Sequence, residues 1–252
     1  SNNELQLQLW PIGDLRTGQL RGMEASVRWN HPQRGLMAPA DFLPLAVNAG
    51  FATQIDEWVV SASIRQFAAW VDAGLPVQDL EMAFNLTTEM FLSPRSRQLI
   101  STELTNNDLR PVNFRVEVPE SVLRSDGTVL REVFDTYRSM GMPVTLDRFG
   151  SDYSNLDRLP RFAIDAVKID LALISDLSNR LSSRALVSSL ITLAQTAGLR
   201  VAAAGVDDEL LRDQVVELGC VQGQGQGLWL SGAIDPHEFA ELLGDRYLIE
   251  AG

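Results

Sequence analysis

Polar residues able to do chemistry stand where the apolar runs of this sequence stop. Glu24 and Arg28 come late in one run, and Asn85, Glu117 and Asp147 end the next three. Lys168 and Asp170 close Val-Lys-Ile-Asp, and Gln224 lies in the last run. Three carboxylates and an amide (Glu24, Glu117, Asp147, Asn85) would give an all-oxygen site for a hard cation such as Mg²⁺, Mn²⁺ or Ca²⁺. Arg28 and Lys168 carry the charge a phosphate requires. Taken singly, each is more often a loop cap or a solvated charge. Jointly that reading weakens, because apolar strands rarely all end in charged groups without a common purpose. Arg148 is the discordant residue, a cation directly after Asp147.

Positioning such a set needs many strand ends at one place. Leu5 to Trp10 and Leu20 to Val27 read as strands joined by a short turn through Gly13 and Gly18, hence an antiparallel hairpin. Helices follow from Pro39 and over Asp56 to Val71. Strands at 81–85, 113–118, 144–147, 166–169, 200–203 and about 221–225 then alternate with helices near 94–105, 129–140, 154–159, 182–197, 207–218 and 236–243. About eight strands with helices between them, in 252 residues, match an α/β fold of the (β/α)₈ barrel type. The runner-up, a doubly wound sheet, lacks a Gly-x-Gly-x-x-Gly turn after its first strand. In a barrel, residues at the C-terminal ends of several strands share one site.

Composition narrows the partners. A net charge of −12 argues against DNA or RNA, since a surface of that sign repels a long polyanion. The single cysteine, Cys220, excludes an internal disulfide and suits a reducing compartment. No apolar run reaches the roughly 20 residues of a membrane span. The chain opens Ser1-Asn2-Asn3, which reads as one domain, residues 1–252, excised from a longer protein. The expected location is cytoplasmic, with or without a membrane anchor elsewhere in the parent. His31 reads as a turn residue, Cys220 as a buried small hydrophobe, and Trp58 and Trp70 as core.

Several stretches carry a resemblance. Met23-Glu-Ala-Ser-Val-Arg-Trp-Asn-His-Pro32 is similar to the Glu-Ala-Leu-x-Arg-Trp-x-His-Pro signature of EAL domains, the cyclic di-GMP phosphodiesterase family. Likeness continues through Phe84-Asn-Leu86, Val116-Glu-Val-Pro-Glu-Ser121, the segment Asp147–Leu156, Val167–Asp170, Ala203–Asp207 and Gly219–Gly225. It implies a TIM-like barrel with an antiparallel first strand. It also implies metal ligands at Glu24, Asn85, Glu117 and Asp147, a lysine near the attacking water at Lys168, and a guanine contact at Asp170. Arg28 matches a phosphate-gripping arginine, Gln224 a late-strand glutamine of the site, and Glu120 the glutamate that steadies the loop after Asp147. A homodimer and a downstream protein partner are further implications.

The departures fall on the hydrolytic chemistry. Arg148 stands where the family has a second Asp that helps hold a second metal, and Ala204 where it has the proposed general base. Asp207 replaces a Glu, Ser26 the Leu of Glu-Ala-Leu, and Trp10 an early Gln; an Arg-Pro pair is missing near Leu230–Gly232. A cation ~4 Å from a metal, at an effective dielectric of ~20, repels it by about 4 kcal/mol per unit charge. Loss of a general base typically costs ~10²–10⁴-fold. The leading expectation is therefore a receptor, not an enzyme, that binds cyclic di-GMP with no cofactor required. Its contacts would be Glu24, Arg28, Arg148, Asp170, Asp207 and Gln224, and Mg, Mn or Ca could occupy the residual half-site. Two other readings stand beside it: a decayed scaffold for protein contacts, and a slow metal-dependent phosphodiesterase.

Overall fold

A two-stranded hairpin starts the molecule, as its sequence predicts. In the computed structural model, which describes residues 4–177, 181–225 and 232–250, β1 (Leu5–Asp14) pairs antiparallel with β2 (Leu20–His31). Asp14 shapes the turn by accepting the Arg16 and Thr17 backbone N–H groups, each at 3.0 Å. Gly18 completes it at φ 73°, where a side chain would be strained. A short strand, β3 (Gly35–Met37), folds back on β2 and extends it past Val27, where the sequence reading ended it. The His31 ring stabilises that second turn, Nδ1 accepting from Gln33 N at 3.0 Å.

The remaining strands are β4 (Glu81–Asn85), β5 (Phe114–Pro119), β6 (Val144–Phe149), β7 (Ala166–Ile169), β8 (Arg200–Ala204) and β9 (Gln222–Gln224). They run parallel in sequence from β2 to β9, and β1 closes the ring by pairing antiparallel with both β2 and β9. An antiparallel closure needs only a tight turn, whereas each parallel step needs a crossover. The result is an eight-stranded mixed barrel, with β3 as an appendage.

Helices α1 (Pro39–Asn48), α2 (Ala52–Asp72), α3 (Thr88–Leu92), α4 (Pro94–Asn106), α5 (Gly127–Ser139), α6 (Leu171–Ser175), α7 (Leu181–Thr196), α8 (Glu209–Leu218) and α9 (Pro236–Glu250) lie among the strands in sequence. Five-residue α3 and α6 are too short to leave a periodic signal and escape sequence reading. The segment expected as a helix over 154–159 is instead a 3₁₀ stretch, Tyr153–Arg161, with Pro160 inside it. Among the described residues no helix is long and apolar enough to cross a membrane.

Strand alternation explains where the core lies. Phe84, Val116, Leu146, Val167 and Ile169 are fully buried on the helix-facing side. Their neighbours Asn85, Glu117, Asp147 and Lys168 therefore face the barrel axis. The expectations for Cys220 and Trp70 hold: both are buried, and Trp70 stacks on Phe239 at 5.4 Å.

Candidate functional site

Lys168 is the hub of the barrel mouth. Its side chain is 5% exposed, and Nζ lies 2.8 Å from Glu24 Oε2 and 3.4 Å from Asp147 Oδ1, with a closer contact to Glu117 Oε2. Glu24 also accepts from Asn85 Nδ2 and Gln224 Nε2, each at 2.6 Å. Six residues expected from sequence thus join in one cluster of hydrogen bonds and ion pairs.

Electrostatics within the cluster follow from burial and from Lys168. Burial pushes the Glu117 carboxyl up, and repulsion from Glu24 and Asp147 adds to it, against the pull of Lys168; the net value is about 7. Burial raises Glu24 too, but the Lys168 charge and hydrogen bonds from Lys168, Gln224 and Asn85 outweigh it, and its pKa falls. For Lys168, burial alone would lower the pKa, yet Glu117, Glu24 and Asp147 hold it well above its ordinary value. The ammonium stays charged.

Arg148 sits at the lip. The β6–β7 register breaks between Leu146 and Phe149, and Arg148 adopts φ 53°, a left-handed backbone otherwise seen among described non-glycine residues only at Asp108. Its side chain is 70% exposed, with Nε 3.8 Å from Asp147 Oδ2. Buried Glu120 holds the loop beyond it, Oε2 accepting from Gly150 N at 2.8 Å and Asp152 N at 3.3 Å. Arg124 pairs with Asp152, and Arg158 donates to the Leu123 and Ser125 carbonyls, so the same loop is tied at both ends.

Two cavities meet at this lip. The smaller, about 490 Å³, takes in Lys168, Asp170, Leu171, Ala204 and Gln224. The larger, about 880 Å³, is an apolar cleft between α1, α2 and the β2 and β4 ends, with Ser26, Leu43, Val47, Ile55 and buried Asp56 on its walls. Glu24, Asp147 and Arg148 line both. Sequence reading missed the cleft, because its Pro, Leu, Ile and Val residues look like ordinary helix core. Only Asp56, the one charged residue among the buried positions of α2, marks it; burial pushes that carboxyl up to about 6 although Thr87 donates to it from both N and Oγ1.

Other expected residues fall variously. Asp170 lines the smaller cavity while its Oδ1 caps α6 through Ala172 N at 2.8 Å. Ala204 ends β8 in register with Gln224. Arg28 shares the Glu24 face of β2 but donates to Gln8 Oε1 at 2.6 Å and lines neither cavity. Asp207 is exposed on the turn after β8 and also lines neither. Trp10 pairs opposite Glu24 without lining either cavity. The stretch lacking Arg-Pro lies mostly within 226–231, outside the described residues.

The donor set Glu24, Asn85, Glu117 and Asp147 has the chemistry of one hard-cation site. As placed, its oxygens are held by the Lys168 ammonium and by amide donors. Among the described residues no three His, Cys, Asp or Glu side chains stand ready to hold a metal. A second cation near Asp147 does not fit, since Arg148 already brings a positive charge there.

A family model for the EAL domain matches residues 1–229. The chain belongs to the EAL domain family.

The EAL domain is 34% identical over 208 residues, 82% of its length, to the bifunctional diguanylate cyclase/cyclic di-GMP phosphodiesterase MucR of Pseudomonas aeruginosa, and covers 30% of that protein. It is 35% identical over 211 residues to the cyclic di-GMP phosphodiesterase PdeR of Escherichia coli, 82% of this chain and 31% of that one. The EAL domain therefore spans about a third of the length of these curated relatives. Among solved structures, the PaMucR phosphodiesterase in complex with c-di-GMP superposes with a TM-score of 0.86 at 32% identity over 94% of each chain. The barrel with its antiparallel first strand is that of the family.

Proposed function

We propose that this EAL domain is a cyclic di-GMP receptor with little or no hydrolytic activity. The observation that carries the reading is Arg148, a cation on the edge shared by two cavities, beside Asp147 and above buried Lys168. A cyclic dinucleotide has two flat bases on either side of an anionic ring. Two cavities joined at a cationic lip suit that shape, with Arg148 forking onto a phosphate. Asp170 and Gln224 would contact the ligand from the smaller cavity, and Arg28 would do so after releasing Gln8. Asp207 would contribute only if its turn closed over the ligand.

Binding of this kind requires no metal, because the Lys168 ammonium and the Asn85 and Gln224 amides already donate to the carboxylate oxygens. Hydrolysis lacks support at two positions: Ala204 cannot accept a proton, and Arg148 opposes a second cation. A second reading, a slow phosphodiesterase using one Mg²⁺, Mn²⁺ or Ca²⁺, is favoured by the retained set Glu24, Asn85, Glu117 and Asp147 and by relatives named as phosphodiesterases. Residues 1–252 would be the single EAL domain of a longer cytoplasmic signalling protein, acting as a homodimer on a downstream protein.

Calorimetric titration with cyclic di-GMP in EDTA tests the receptor reading, and binding at tens of micromolar protein or below is the expected result. No heat would sink it. Product chromatography after prolonged incubation with Mg²⁺ or Mn²⁺ separates the two readings, with intact dinucleotide expected.

A further inference from the structure

We propose that Leu171 is the platform on which a flat ring of the ligand lies in the smaller cavity, a role that rests on the nucleotide-binding reading above. Leu171 opens α6 directly after Asp170 and is 53% exposed. Single exposed leucines are ordinary; this one lines a cavity whose other contributors are mostly charged or amide side chains. With Ala172 and Ala204 it supplies an apolar side to that cavity, while Asp147, Arg148 and Lys168 supply charge. A surface of that mixed kind favours a ligand that is both anionic and flat, such as a nucleobase joined to a phosphate. A base-free phosphate ester would leave the leucine in water.

One side of the leucine packs on the turn that follows β8. Its Cδ1 rests against Gly205, where any Cβ would overlap it, and Gly205 takes φ 73°, a conformation that side chains disfavour. Gly205 is favoured by its own backbone conformation, and its missing Cβ leaves room for the tip of Leu171. Ala204, next to this seat, leaves the apolar side uninterrupted where a longer acidic side chain would reach into it.

The test compares cyclic di-GMP binding by calorimetry for wild type, Leu171→Ala, Leu171→Asn and Leu171→Met, with thermal melts of each free protein. Because Leu171 is half exposed, the melting temperatures should agree closely. Leu171→Ala and Leu171→Asn should weaken binding about tenfold, the scale of a few lost methylene contacts, and Leu171→Met should stay within about twofold of wild type. Asn retains nearly the leucine shape on Gly205, so it reports on the platform even where Ala perturbs the fold. If wild type binds and both variants bind within about twofold of it, the platform is overturned and the receptor reading survives. If wild type gives no heat, the receptor reading fails and the platform fails with it.

Discussion

The barrel has a buried cation with carboxylates at each end, and the two ends are built to opposite charge balance. At the mouth, one lysine faces Glu24, Glu117 and Asp147. At the floor, Arg115 and Arg200 share Glu81, with Arg200 4.0 Å away and Arg115 in closer contact. The floor cavity is only about 10 Å³, near the size of one water, whereas the mouth opens onto two large cavities. A closed cluster with surplus cation and almost no free volume acts as a plug. An open cluster with surplus carboxylate and a cation at its lip is equipped to meet a ligand, in keeping with the mouth location of active sites in TIM barrels.

The sharpest way to break this contrast is to restore the family residues at the mouth. Arg148→Asp with Ala204→Glu should raise Mn²⁺-dependent turnover of cyclic di-GMP by ~10²-fold or more, the scale of a recovered general base. Chromatography of the product reads it, and a double variant no more active than wild type means that Trp10 or the missing Arg-Pro also blocks the chemistry. At the floor, Glu81→Ala strands the buried Arg115 guanidinium. Denaturant unfolding should show a loss of about 3–5 kcal/mol. A loss below ~1 kcal/mol would remove the distinction between plug and site.

Arg148→Ala is the mirror experiment. It should weaken cyclic di-GMP binding by about tenfold or more, the worth of a charge-assisted hydrogen bond, and leave stability within ~0.5 kcal/mol because the side chain is exposed. The smallest effect belongs to Asp56 in the large cleft. Burial lifts its folded pKa to about 6, above the ordinary aspartate value of 3.8, so the native state binds the extra proton. Its contribution to stability is complete below about pH 4 and is lost as pH rises through about 6. A rise from 3.8 to about 6 sets a ceiling of ~3 kcal/mol, and relaxation around the charge leaves something on the order of 1 kcal/mol. Unfolding midpoints from pH 4 to 7.5 should fall for wild type and flatten for Asp56→Asn, which keeps an acceptor for Thr87. Parallel curves would place the dependence elsewhere.

Much of the barrel was legible because hydrophobic runs bounded by turn residues repeat at strand and helix lengths. Boundaries were less so: β2 runs on to His31 because β3 pairs with it, and no local pattern announces a three-residue partner. The Glu24, Asn85, Glu117, Asp147, Lys168 and Gln224 cluster was legible because each is a polar residue within or at the end of a recognisable strand. Arg28 and Asp207 shared that legibility, yet they lie away from both cavities. A side chain's reach depends on its neighbours, and Gln8 already claims Arg28. The apolar cleft and Leu171 were hidden for the opposite reason, since apolar residues look alike whether they line a core or a pocket.

By itself, the sequence determined the residue types at the strand ends, the antiparallel start, and the two departures at Arg148 and Ala204. These are local properties, set by side-chain chemistry and by patterns a few residues long. Only the tertiary structure decided that the Lys168 ammonium stands among the three carboxylates, that Arg148 borders two cavities, and that Leu171 is seated on Gly205. Each of those depends on segments far apart in the chain, up to 144 residues for Lys168 and Glu24, brought into contact by closure of the barrel. No local pattern encodes such distances.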